Sequence, residues 1–367
     1  MTEVATGLAA VSDGRGGFVI EQIEVDPPGR GEVRVKMKAA GICHTDHASL
    51  GWPGPLVMGH EGAGTVDLVG EDVTDIAPGD TVLLNWAIPC GTCPQCCRGA
   101  EALCDRTHET YPERYGTSRA HSGATRLRGR PIERAFHLGT FAQVTVVRAE
   151  AVTKLPPNLP PERACILGCA VMTGVGSAIN IAAVQPGDTV AVIGCGGVGL
   201  NVIQGARVAG AGTIIAIDQR DEALARAKSF GATEFLRAHD EDDLVEAVLD
   251  LTARHGVDHA FEATGVARLA FLPLLLARNG GNALQVSGAH GDVTVEMPRF
   301  FWNKRYMTPL YGGCVPSRDF PRLFQWACDG TIELASLISK EYELTDLRTA
   351  LDDMLSGRTA KGVVRFE

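Results

Sequence analysis

Long apolar runs are missing from this chain. No stretch approaches 18 consecutive apolar residues, so no helical membrane span is expected. The opening MTEVATGLAAVSDGRGGF has no basic segment followed by an apolar one, and no secretory leader is expected there. Positive charge is also scarce. The 34 Lys and Arg face 44 Asp and Glu, and a net charge of -10 argues against a nucleic-acid surface. Internal repeats and low-complexity tracts are absent as well. Without a leader, eleven cysteines point to reduced thiols and metal ligation before disulfides, in a cytoplasmic protein. At 367 residues the chain exceeds the roughly 250–300 that one core sustains, so two domains are expected.

What is present falls into two registers. FVIEQIEVDPPGRGEVRVKMKAA (18–40) reads as a hairpin-like pair of strands around PPGRGE. GAGTVDLVG (62–70), DTVLLNW (80–86) and FAQVTVV (141–147) read as further strands, and the polar, Arg-rich residues 105–138 as a long loop. Near residue 160 the period changes. PPERACILGCAVMTGVGSAINIA reads as a helix pair opened by proline. Strand patterns in QPGDTVAVIG, TIIAID, HAFEATG and ALQVSGA then alternate with helix patterns in LNVIQGARVAGA, RDEALARAKSFGA and DDLVEAVLDLTARHG. After about residue 312 a helix (DFPRLFQWACDG) and a terminal strand (GVVRFE) follow. The expected fold class is α/β: a β-rich domain over 1–170 and 312–367, with an inserted parallel-sheet domain at 171–311.

GCGGVG (194–199) opens that inserted domain. A buried-strand pattern precedes it and a helix pattern follows, the context in which G-x-G-x-x-G binds a dinucleotide. Gly194 makes the tight turn, Gly196 lets a pyrophosphate approach the backbone, and Gly199 lets helix and strand pack closely. The anion then sits at the helix N-terminus. Asp218 ends the next strand, where a carboxylate accepts from a ribose hydroxyl and repels a 2′-phosphate, favouring NAD. Arg220 suits a 2′-phosphate and leaves NADP open.

CGTCPQCCRGAEALC (90–104) holds five of the eleven cysteines. Cys90, Cys93, Cys96 and Cys104 have the short spacings that close a tetrahedron of thiolates around zinc, leaving no open position, so this is a structural site. Cys97 is surplus and expected to point away. A catalytic zinc needs three protein ligands and one open position. GICHTDH (41–47), MGHEGAG (58–64) and ILGCAV (166–171) supply candidates, each unremarkable alone.

Together GICHTDH, GHEGAG, the four-cysteine stretch, LGCAVMTG and GCGGVG resemble the zinc-dependent medium-chain alcohol dehydrogenases over nearly the entire chain. SGATRLRGRPIERAFHLGTFAQ is similar to the loop of the class with dimeric animal alcohol dehydrogenases and glutathione-dependent formaldehyde dehydrogenases. LNWAIPCGTC, LGCAVMTGVGSAIN and YGGCVPSRDFP look closest to mycothiol-dependent formaldehyde dehydrogenases and aryl- or terpene-alcohol dehydrogenases. The resemblance implies a GroES-like β domain plus a Rossmann domain, two zinc ions and NAD per chain, and a homodimer.

Residue by residue, it implies Cys43, His60 and Cys169 as catalytic zinc ligands. Glu61 would lie beside the metal and approach it during ligand exchange, and Asp46 would orient the His60 imidazole. Thr45 would hydrogen-bond the substrate alkoxide at the head of a proton path. Gly194, Gly196, Gly197, Gly199, Asp218 and Arg220 would meet the cofactor, with Thr173 and Val198 bordering the nicotinamide. His44 and Lys361 fall where the family contacts the pyrophosphate. Trp86 is either a substrate-pocket wall or a core aromatic. His47 comes one residue earlier than the relay histidine of many relatives, with Ala48 at that position, so it reads as relay or as plain structural residue.

The implied activity is oxidation of a small primary alcohol, aryl, allylic or otherwise hydrophobic, to its aldehyde by hydride transfer to NAD, or the reverse. One alternative is oxidation of S-(hydroxymethyl)mycothiol or -glutathione, with Arg114, Arg119 and Arg126 as a basic rim or merely a solvated face. Another uses the zinc as Lewis acid in a redox-neutral conversion with tightly held NAD. The partners expected are an alcohol or aldehyde, no nucleic acid and no membrane.

Overall fold

The computed structural model describes residues 3–106, 124–238 and 241–367. They divide into two units: Met1–Cys169 with Val315–Gly330 and Leu334–Glu367, and Ala170–Cys314 with Thr331–Glu333. Sequence reading assigns Thr331–Glu333 to the first domain. The segment joins the second because Gln204 accepts from the Glu333 amide and Arg207 donates to the Thr331 carbonyl.

The first unit holds two sheets. One runs β8-β7-β2-β1-β4-β9, from β1 (Ala5–Ser12), β2 (Phe18–Val25), β4 (Leu56–Val57), β7 (Thr125–Leu127), β8 (Arg130–Pro131) and β9 (Glu133–Arg134). The other runs β11-β6-β5-β3-β19-β18, with β10 also on β3. Its members are β3 (Glu32–Gly41), β5 (Gly62–Val69), β6 (Thr81–Leu84), β10 (Val144–Arg148), β11 (Val152–Lys154), β18 (Ile338–Glu343) and β19 (Lys361–Arg365). Alternation along β1, β2 and β10 turns Ala9, Val11, Ile23, Val25, Val144 and Val146 into one buried cluster.

The expected hairpin over 18–40 does not form. β2 pairs with β1 and β3 pairs with β5, so the Pro27–Pro28 stretch carries the chain from one sheet to the other. The reading of 105–138 as loop is also corrected, because β7, β8 and β9 lie in its second half. β19 brings the C-terminal segment back, pairing Val363–Arg365 antiparallel with Ala39–Gly41.

The second unit is a parallel sheet of order β14-β13-β12-β15-β16-β17: β12 (Thr189–Ile193), β13 (Thr213–Asp218), β14 (Glu234–Arg237), β15 (Val257–Glu262), β16 (Ala277–Gln285) and β17 (Arg305–Met307). The runs TVAVI and TIIAID are apolar almost throughout, as strands covered on both faces must be. Ile193, Ile215, Ile217, Val248, Leu272 and Leu276 form the core on one side. The order places the switch point between β12 and β15, the crevice where such sheets take dinucleotides.

Candidate active site and metal centres

Cys43 follows β3 and N-caps the short helix His44–Ala48. Its amide donates to Asp46 Oδ2 at 2.8 Å, while Asp46 Oδ1 lies 2.7 Å from His60 Nδ1. The buried Asp46 thus ties the Cys43 turn to the His60 ring and leaves Nε2 as the free ligand atom. Burial opposes protonation of His60, but the Asp46 carboxylate more than offsets it and holds the imidazole pKa well above its ordinary value. Cys169 lies between a 3-10 turn (Cys165–Gly168) and the helix Ala170–Gly176.

One ligand atom each from Cys43, His60, Glu61 and Cys169 lie within 4.8 Å of one another. His60 Nε2 and Glu61 Oε2 are buried without a hydrogen-bond partner, the signature of donors waiting for a cation. The Cys169 thiol hydrogen-bonds Cys43 and holds the Cys43 pKa well below the thiol range. Two sulfurs, an imidazole and a carboxylate suit zinc. Gly41 makes room for Glu61, since a Cβ there would stand 2.1 Å from Oε2.

Lys361 lies beside the metal ligands. Its Nζ is 2.6 Å from Glu61 Oε1 and 2.8 Å from the Ile42 carbonyl, and the residue is 4% exposed. It pairs with the carboxylate behind the metal ligands. Burial pushes Glu61 up to about 7, against the pull of the Lys361 ammonium. Thr45 Oγ1 lies 3.8 Å from Cys43 Sγ, and His44 and His47 face outward, exposed, on the same helix.

An aromatic wall stands over His60. Phe136 centres 5.0 Å from the His60 ring, 5.2 Å from Trp86 and 5.5 Å from Trp52. Its φ of +51° lies in the left-handed region, and His137 follows at +61°, a strained path for residues carrying a Cβ. Sequence reading finds Trp86 and misses Phe136 and Trp52. No periodic pattern marks either, and nothing in AFHL signals a left-handed turn.

In the lobe, the Sγ atoms of Cys90, Cys93, Cys96 and Cys104 also lie within 4.8 Å of one another. Backbone amides turn inward: Cys93 N to Cys90 Sγ at 3.3 Å, Cys96 N to Cys93 Sγ at 3.5 Å and Cys90 N to Cys104 Sγ at 3.3 Å. Such bonds favour the thiolates a zinc requires. Cys97 is exposed and outside the cluster.

In the second unit Gly194 turns the chain at φ +92°, and Gly196 caps the helix Gly197–Val208. A Cβ on Gly199 would fall 1.8 Å from the Gly194 carbonyl, whereas one on Gly196 would meet nothing within 4 Å, leaving an open cradle over the helix N-terminus. Asp218 Oδ2 accepts the Cys195 amide at 2.9 Å and Oδ1 accepts the Arg220 amide at 3.0 Å. The Arg220 side chain lies alongside, Nε 3.5 Å from Oδ1. The half-exposed Val198 sits in the helix's first turn, and its carbonyl would be 2.6 Å from a Cβ on Gly174, next to Thr173. The cradle and the carboxylate fit a dinucleotide.

A β unit with two metal-ligand clusters and a parallel-sheet unit with a dinucleotide turn define a metal- and nucleotide-dependent oxidoreductase. Residues 29–157 match the alcohol dehydrogenase GroES-like domain and residues 197–329 the zinc-binding dehydrogenase domain. The S-(hydroxymethyl)glutathione dehydrogenase of Photobacterium damsela subsp. piscicida is 36% identical over 98% of this chain and 99% of its own. Among solved structures, an alcohol dehydrogenase zinc-binding domain protein from Burkholderia ambifaria aligns with TM-score 0.89 at 31% identity, covering both chains fully. Benzyl alcohol dehydrogenase from Acinetobacter calcoaceticus aligns with TM-score 0.87 at 28% identity over 99% of this chain and all of its own. The chain belongs to the zinc-dependent medium-chain alcohol dehydrogenase family. It is an oxidoreductase acting on alcohols, with zinc and NAD as cofactors.

Proposed function

We propose that this enzyme interconverts a primary aryl or allylic alcohol and its aldehyde with NAD(H). The observation that carries the reading is the wall of Phe136, Trp86 and Trp52 against His60, a surface that stacks on a planar apolar group. The likeness in fold to a benzyl alcohol dehydrogenase supports it.

When bound, the catalytic zinc supplies Lewis acidity toward the substrate oxygen and NAD accepts the hydride. Cys43, His60 and Cys169 hold the metal, with Glu61 as a further donor and Asp46 fixing the imidazole. The Thr45 hydroxyl takes up the substrate's hydroxyl proton and passes it outward, with the exposed His47 as the next acceptor. In the second unit Gly194, Gly196, Gly197 and Gly199 shape the pyrophosphate cradle, and Asp218 receives the adenosine ribose. Thr173 and Val198 border the nicotinamide, and Trp86 is a wall of the substrate pocket.

A second reading, oxidation of an S-hydroxymethyl thiol adduct, is favoured by the names of the 36% and 35% identical relatives. Of the basic rim it requires, Arg126 is engaged by Asp26 and Glu24, while Arg114 and Arg119 lie outside the described residues. Absorbance of NADH separates the readings. The zinc-loaded protein is expected to oxidise benzyl and cinnamyl alcohol without thiol. Turnover confined to formaldehyde plus glutathione or mycothiol would replace the first reading with the second.

We further propose a homodimer formed along the edge strand β17, near the exposed Met297, Phe301, Trp302 and Leu310. A cytoplasmic location fits eleven free thiols and the lack, among the described residues, of any single helix long and apolar enough to cross a membrane.

A further inference from the structure

Asn85, the residue after β6, is fully buried, and among the described residues neither end of its carboxamide has a hydrogen-bond partner. Two donors and an acceptor taken into the interior unpaired are costly. A partner that meets the amide for part of the time would offset that cost.

Its place in the sheet names the partner. Gly62, at the start of β5, pairs with Leu84 of β6 on one side and Ala40 of β3 on the other. The strand paths run on by one residue. The Asn85 amide donates to the Ala151 carbonyl at 2.8 Å, and the Gly41 amide to the Glu61 carbonyl at 3.2 Å. Asn85, Glu61 and Gly41 therefore form the next row. Facing residues in an antiparallel row share one side of the sheet, with Cβ atoms about 4.5–5.5 Å apart. The turn ahead of Cys169 roofs that side, since a Cβ on Gly168 would stand 3.6 Å from Leu83 Cδ1, two residues before Asn85. Under this roof the Glu61 carboxyl lies over Gly41, with Oε1 on Lys361 and Oε2 unpartnered beside the metal donors. Rotation about its own side-chain torsions, away from Gly41, carries it towards Asn85.

We infer that Asn85 is a positioning residue that receives the Glu61 carboxyl when it stands off the metal, and so governs how readily the metal site opens to an incoming ligand. A carboxamide donates to a carboxylate and accepts from a carboxylic acid, so the pairing holds in either protonation state. With Asn85 present, Glu61 has two satisfied positions: over Gly41 with the metal donors, and across the row on the amide. Without Asn85 only the first remains, and Glu61 then competes with any ligand for the open position.

The test is imidazole binding to the cobalt-substituted protein, without NAD or substrate, followed in the visible spectrum. The lobe is closed by four thiolates and has no position for imidazole, so only the catalytic centre responds. Asn85→Leu removes an unpaired polar group and is expected to fold. It should raise the Kd for imidazole about 3–10-fold, the worth of one hydrogen bond. In Glu61→Ala protein the same substitution should leave the Kd unchanged. If Asn85→Leu does not fold, the isosteric pair Asn85→Thr and Asn85→Val takes its place, with the valine variant weaker by the same factor. An unchanged Kd in Asn85→Leu, or equal binding by the threonine and valine variants, overturns the inference and assigns Asn85 an internal water as partner. An equal rise with and without the Glu61 carboxyl also overturns it, because Asn85 would then act by another route. A wild-type spectrum that imidazole leaves unchanged does the same, since the site then does not open.

Discussion

Lys361 and Glu61, 300 residues apart in the chain, form a buried ion pair at 2.6 Å behind the catalytic metal ligands. The pair joins the start of β5 to the start of β19, and the ammonium also holds the Ile42 carbonyl next to Cys43.

Lys361→Met leaves the Glu61 carboxylate buried without its ammonium partner, with the zinc as its remaining counter-charge. Breaking such a pair from one side costs about 3–5 kcal/mol. Urea unfolding of the zinc-loaded protein should show a loss of that order, and Lys361→Arg should lose less. Equal stability of Lys361→Met and wild type would mean that Glu61 is compensated elsewhere.

The lobe offers a count. Metal analysis should find about two zinc ions per chain in the wild type and in Cys97→Ser, and about one in Cys96→Ser. Loss of a zinc from Cys97→Ser would exchange the roles of the two neighbours.

Phe136→Gly suits a φ of +51° better than phenylalanine does, so the loop should survive the change. The ring's stacking surface goes with it. KM for benzyl alcohol should rise about 2–10-fold, the worth of one aromatic pair, while KM for ethanol stays nearly constant. A uniform rise for both alcohols would point to a disturbed metal site in place of a lost wall.

Asp353 accepts hydrogen bonds from Lys340, Tyr342 and Arg358, which hold its carboxyl well below the usual carboxylate range. A depressed folded pKa contributes stability that is complete above the unfolded value near 3.8 and is lost as pH falls through the folded one. Asp353→Asn should therefore lower the melting temperature by a constant amount from pH 8 to 5, with the gap closing only below about pH 4. A gap that varies between pH 6 and 8 would assign the effect to another group.

Legibility in the sequence followed the range of the interactions. The four lobe cysteines sit in fifteen residues, and the C-x2-C-x2-C-x7-C spacing alone nominates Cys96 over Cys97. GCGGVG was legible because its strand and helix flank it directly. The hairpin over 18–40 failed because local alternation specifies strands and not their partners. The short edge strands β14 and β17 are too exposed to show an apolar pattern. The pairing of Lys361 with Glu61 went unread for a related reason. The contact is set by the β19–β3 pairing, which no stretch of sequence near either residue reveals. Phe136 depends on a left-handed turn that its own residues disfavour.

The return of β19 to β3 also orders events during synthesis. Cys43, His60, Glu61 and Cys169 leave the ribosome before the second unit is made, whereas Lys361 follows Glu61 by 300 residues. At about 5–20 residues per second that interval is roughly 15–60 s. From the appearance of Cys169 until that of Lys361, the later part of this interval, the nascent chain carries a complete set of zinc donors and no ammonium to neutralise the carboxylate. A cation arriving early would therefore meet a more negative pocket than the finished enzyme presents, so metal capture is electrostatically easiest before the chain is complete.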